Sequence, residues 1–94
     1  MSLPSLDLPV AEVEISPGVL IKIRSLSRDE TIKLTQFEDV AEAEVFILSR
    51  STGVTDAEAQ TFREQNQARL VGTVLEEISI LSGIKEARDE KGKK

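Results

Sequence analysis

The segment Leu70 to Gly83, LVGTVLEEISILSG, constrains the fold more than any other part of the chain. Placed on a helix at about 100° per residue, with Leu70 at zero, Leu81, Val74, Ile78, Val71 and Leu75 fall between about 0° and 140°. That is a wide apolar stripe on one side of a helix, and Gly83 is a suitable stop for it. A stripe this wide has to be covered by the rest of a 94-residue chain. Ile80 falls at about 280°, between Glu76 and Glu77, and is therefore a candidate for contact with another protein rather than for the core.

The cover is written near the N-terminus. Ala11, Val13 and Ile15 alternate with Glu12 and Glu14. After Ser16-Pro17-Gly18, Val19, Ile21 and Ile23 alternate with Leu20, Lys22 and Arg24. Two runs of period two around a Pro-Gly turn predict an antiparallel hairpin with one apolar face. On its wet face, Glu12 and Glu14 are expected across from Lys22 and Arg24. An isolated hairpin is only marginally stable, so its apolar face should lie on helices.

Capping signals divide what lies between. Ser27-Arg28-Asp29-Glu30 is a capping box and predicts a short helix to about Phe37. Glu38-Asp39 opens a second helix through about Ser51, with Gly53 as its stop. On that helix Val40, Ala41, Val45 and Leu48 share an arc, while Ala43, Phe46 and Ile47 fall largely outside it. Apolar residues on two sides mean either a sandwiched helix or one covered by a partner, and Phe46 and Ile47 are the interface candidates if a partner covers it. Thr55-Asp56-Ala57-Glu58 is a second capping box, from which Ala59 and Phe62 point inward. The pattern weakens at Gln65-Asn66-Gln67, where Asn66 could cap the closing helix.

The fold class is thus α+β, mainly helical: an N-terminal β-hairpin packed on three to four short α-helices. Three parts follow: residues 1–9, an arm with two prolines and no period; residues 10–84, one globular domain; residues 85–94, a charged tail expected to be disordered or a frayed helical extension. Met1-Ser2-Leu3 is compatible with a native start or an expression scar.

Composition narrows the functions. The net charge is -5. The tail carries five bases against three acids, so the body carries seven against fourteen. A body this acidic repels phosphate, which argues against nucleic acid and for a basic or apolar protein partner. Apolar residues are 39%, enough for a core, but the only aromatics are Phe37, Phe46 and Phe62, so that core is aliphatic. There is no cysteine, histidine or tyrosine. Disulfides, thiolate nucleophiles, most triads and zinc sites are excluded together, and the composition fits a reducing compartment. The pairs Glu38-Asp39 and Glu76-Glu77 point about 100° apart on a helix and cannot converge on a substrate. No phosphate-binding glycine pattern is present. No run of about 18 apolar residues spans a membrane, and no basic-then-apolar leader starts the chain. The expectation is a protein that is not an enzyme, with no catalytic residue, cofactor or metal.

Taken in order, these features resemble one family, the tail assembly chaperones of long-tailed (siphovirus-type) bacteriophages and prophages. The resemblance rests on the turn-containing strands of VEISPGVLIKIRSL and the helix start Leu26-Ser27-Arg28-Asp29-Glu30. It continues through the start at Thr55 to Glu58 and the apolar helix ending in Leu81-Ser82-Gly83. It covers roughly residues 10 to 84. The middle helix is more acidic than the pattern leads one to expect. The resemblance implies a non-catalytic holdase in the host cytoplasm. Many copies would coat the tape measure protein, keep it soluble while the tail tube polymerises, and be absent from the mature virion. It also implies a homo-oligomer, and a possible frameshifted longer form that meets the tail tube protein; the closing Lys93-Lys94 is compatible with a slippery site. Phe46, Ile47 and Ile80 are the candidate contact residues. The competing reading from charge alone is a small acidic adaptor or antitoxin-like inhibitor of a basic protein.

Overall fold

Alternation and caps become six elements in the computed structural model, which describes residue 4 and residues 6–84. They are β1 (Val10–Ser16), β2 (Val19–Arg24), α1 (Arg28–Leu34), α2 (Val40–Thr52), α3 (Asp56–Gln65) and α4 (Ala68–Leu81). The fold is an antiparallel hairpin followed by four helices, α+β and mainly helical. The expected tail, 85–94, lies outside the described residues. Of the expected arm, the described residues are exposed and belong to no regular element.

The turn at Pro17-Gly18 holds Gly18 at φ 79°, the left-handed value glycine adopts at no steric cost. Glu14 Oε2 accepts from the Gly18 amide at 3.1 Å. The ladder pairs Glu12 with Lys22 as expected, but Glu14 lies opposite Leu20 and Arg24 opposite Val10. Its irregularity falls between Glu14 and Ser16.

Arg24 has a different partner. Its guanidinium grips Glu30 with two hydrogen bonds of 2.9 Å, Nη1 to Oε1 and Nη2 to Oε2. Glu30 Oε1 also accepts from the Ser27 amide at 2.9 Å, while Ser27 Oγ accepts from the Glu30 amide. One carboxylate thereby caps α1 and ties it to the hairpin.

The first helix stops at Leu34 rather than Phe37. Thr35, Gln36 and Phe37 donate to carbonyls three residues back, and Thr35 Oγ1 donates to Ile32 O, so the chain tightens out of the α-helix. Asp39 caps α2 by accepting from the Ala41 amide, and Gly53 ends it at φ 83°. Both bonds of the second capping box, between Thr55 and Glu58, are in place. Asn66 caps nothing at the start of α4. It terminates α3, donating from Nδ2 to Phe62 O, and Gln67 precedes α4 without a side-chain cap. The Ile84 amide bonds Ser79 O and the Gly83 amide bonds Ile80 O, which closes α4 as a Schellman turn.

The core is Val13 and Ile23 from the hairpin, Leu26, Leu48 from α2, Ala59 from α3, and Val74 and Ile78 from α4. The expected stripe of α4 is the buried one: Val71, Val74 and Ile78 are buried, and Leu70, Leu75 and Leu81 pack beside them. Helix α4 runs beneath β1 and α2 beneath β2, while α2 also meets α1, α3 and α4. The two-sided α2 is therefore sandwiched within the chain. Val40, placed by its arc with the core residues, is 70% exposed instead, because it begins the helix beyond the reach of the hairpin.

Three serines complete the packing. Ser51 Oγ accepts from the Arg24 amide at 3.0 Å and donates to Arg24 O at 2.7 Å, supplying β2 with the partner a third strand would have given. Ser82 Oγ accepts from the Leu26 amide at 2.8 Å across 56 positions of sequence. Ser49 Oγ donates to Phe46 O. Among the described residues no buried side-chain polar atom lacks a partner. No helix among them is long and apolar enough to cross a membrane.

Candidate protein-binding cleft

Helix α3 can approach α2 and α4 closely because it presents Ala59, a small and buried side chain, toward the core. The three-residue link Gly53-Val54-Thr55 turns α2 into α3 and leaves Val54 at the rim, 39% exposed. Between them opens an apolar cleft of about 290 Å³. Its floor is Ile21 of β2, Leu48 of α2, Ala59 of α3 and Val74 of α4, with Phe62 as a half-buried wall. Thr52 and Glu58 are its polar margin. Glu58 is occupied by the Thr55 cap, accepting from the Thr55 amide at 3.0 Å. The cleft therefore offers dispersion and desolvation rather than charge, and suits aliphatic side chains of another chain.

A second, shallower hollow lies on the opposite side of the α2–α3 contact, lined by Phe37, Ala41, Val45, Phe46 and Ala57 with Glu42 and Asp56. Phe37 and Phe46 meet there at 5.3 Å between ring centroids, and the Arg50 guanidinium lies 5.0 Å from the Phe46 ring. Arg63 Nε donates to Glu44 Oε1 at 2.9 Å and ties α3 to α2.

The three residues singled out from sequence do not form one surface feature. Phe46 is 9% exposed, held between Phe37 and Arg50, so in the folded chain only its edge reaches the shallow hollow. Ile47 is half-buried against the core. Ile80 is half-buried on α4, and neither it nor Ile47 lines either hollow. Sequence reasoning missed the lining residues Ile21, Val54 and Phe62 as a set. Its one available signal was an aliphatic residue, Val54, in a cap-to-cap link where a polar residue is usual.

Among the described residues no three acidic, histidine or cysteine side chains gather as a metal site. Glu30, whose carboxylate is strongly shifted, does not line the cleft. The Arg24 guanidinium, gripping it directly, holds it down from the usual 4.5 to about 2; burial opposes this, and the Ser27 amide assists. That carboxylate is structural, since both its oxygens are engaged in holding α1.

Compared with protein-family models, with curated proteins and with solved structures, the chain matches none.

Proposed function

We propose that this protein is a tail assembly chaperone. In this reading it coats the tape measure protein in the host cytoplasm, keeps its apolar stripes from aggregating while the tail tube forms, and does not remain in the virion. The observation that carries the reading is the apolar cleft at Ile21, Leu48, Val54, Ala59 and Phe62. It is a receptor for the aliphatic side chains that a long amphipathic helix presents at every third or fourth residue. A shallow aliphatic contact is weak by itself, and many copies on one chain make the coat, so each copy stays displaceable when tube subunits arrive. Two motifs of the resemblance that lie far apart in sequence, Leu26-Ser27 and Leu81-Ser82, also meet through the bond from the Leu26 amide to Ser82.

The test is binding of the purified chain to a long helical polypeptide with an apolar stripe, read by the mass of the complex. Many copies per chain are expected, and Val54→Glu, at the rim, should weaken the contact by at least about tenfold while circular dichroism stays unchanged. A complex of one copy with one compact basic protein would replace this reading with that of an acidic adaptor. Undiminished binding by Val54→Glu would remove the cleft from the proposal.

A further inference from the structure

The shallow hollow beside α2 and α3 differs from the cleft in its charge. Its floor is apolar. Ala41 of α2 and Ala57 of α3 put no long side chain into it, and Val45, Phe37 and Phe46 complete a space of about 480 Å³. Its rim is acidic: Glu42 of α2 and Asp56 of α3 both line it. Both side chains are exposed, and among the described residues neither carboxylate takes part in a hydrogen bond or ion pair. The acid at the cleft, by contrast, is held by the Thr55 cap.

Two arginines touch residues of the hollow without lining it. Arg63 is committed elsewhere: Nε donates to Glu44, and Nη1 donates to Gln60 Oε1 at 3.2 Å. Arg50 is stacked on the Phe46 ring, 5.0 Å from its centroid, which shows that this ring accepts a cation. Acids in a first helical turn answer the helix dipole on any side of a helix. Glu42 and Asp56 do more than that, because they come from two helices and border one apolar space.

We propose that this hollow docks a basic amphipathic segment of a partner protein, one in which Lys or Arg flanks an aliphatic residue at helical spacing. The aliphatic side chain occupies the floor between Phe37 and Val45. Lysine and arginine carry an apolar stem ending in a cation, which is the complement of an apolar hollow with an acidic rim. Their stems lie along Ala41 and Ala57, and their heads reach Glu42 and Asp56. The same rim repels phosphate, so nucleic acid and anionic lipid are poor occupants. A contact this small and exposed is weak, and electrostatic attraction contributes to its rate and its selectivity. The proposal goes beyond the proposed function. The hollow and the cleft lie on opposite sides of the α2–α3 contact, so either can bind while the other fails.

The probe is a synthetic helical peptide of about fifteen residues, with leucine and arginine three or four positions apart, titrated into the isotope-labelled full chain. Amide resonances of Ala41, Val45 and Ala57 are expected to shift. Replacing the arginines of the peptide by glutamine should weaken binding at least about fivefold, and so should replacing its leucines by alanine. Glu42→Gln combined with Asp56→Asn should cost the same, at least about fivefold. Glu12→Gln combined with Glu77→Gln removes equal charge from residues outside the hollow, and should change binding by less than about twofold. Both double variants should keep the circular dichroism of the wild type. Equal losses in the two double variants would reduce the effect to the net charge of the body and overturn the proposal. So would a glutamine peptide that binds as well as the arginine peptide, shifts confined to Ile21, Val54 and Phe62 of the cleft, or no shift at millimolar peptide.

Discussion

Single side chains in this protein do two jobs where one would be expected. Glu30 closes the capping box of α1 and binds Arg24 on the hairpin. Its folded pKa, about 2, lies below the ordinary 4.5, so ionised Glu30 stabilises the fold. The contribution is complete above about pH 4.5 and is lost as pH falls toward 2. Glu30→Gln is therefore expected to lower the unfolding free energy at pH 7 by about 1–2 kcal/mol, allowing for partial solvent screening of the pair. The gap between variant and wild type should close on acidification, as read by urea denaturation at a series of pH values. A gap independent of pH would separate Glu30 from the acid sensitivity of the fold. The capping half of this role is legible in the sequence, because Ser27 and Glu30 are three residues apart. The Arg24 half is not. Alternation places Arg24 on the wet face beside the acids of β1, and only the path of the chain after Leu26 brings Glu30 within reach.

At the scale of elements, signals confined to a few neighbouring residues translate directly. The Pro-Gly turn, the caps at Ser27, Asp39 and Thr55, and the apolar stripe of α4 all lie where their residue patterns put them. The departures come from competition. Helix α1 ends early because Thr35 and its neighbours prefer tighter bonds, and Asn66 bonds backward to Phe62 instead of forward into α4. The end of α4 depends on Gly83 at φ 78°, a conformation that penalises any side chain although the space around it is open. Gly83→Ala is expected to destabilise by about 1 kcal/mol, and amide exchange should accelerate at Gly83→Ala and Ile84 before the interior of α4 responds. Uniform acceleration along α4 would mean that this turn does not fray on its own.

For the whole molecule, the decisive contacts are long-range and carried by small polar side chains that no pattern rule flags. Ser51 stands in for a missing strand, and Ser82 joins the end of α4 to Leu26, just ahead of the Ser27 cap of α1. Neither serine has a distinctive setting in the sequence, since each follows an apolar or basic residue near a helix end like many others. The burial of Phe46 is hidden for a similar reason: its partners, Phe37 and Arg50, come from a turn and from its own helix. The cleft, likewise, is assembled from four elements and has no local signature. Ser82→Ala would leave the Leu26 amide without its acceptor in a buried setting, at a cost of about 1–3 kcal/mol. Hydrogen exchange should show the loss first at Leu26. Unchanged protection of that amide would mean the link contributes nothing to the assembled state.

That same tie fixes an exit. Because Ser82 is fastened to Leu26, the backbone leaves α4 at a surveyed spot alongside the opening turn of α1, next to the groove formed by Ile32, Leu34 and Ile84. A fusion partner joined by engineering after Ile84 would therefore set out from an anchored doorway on that side of the body.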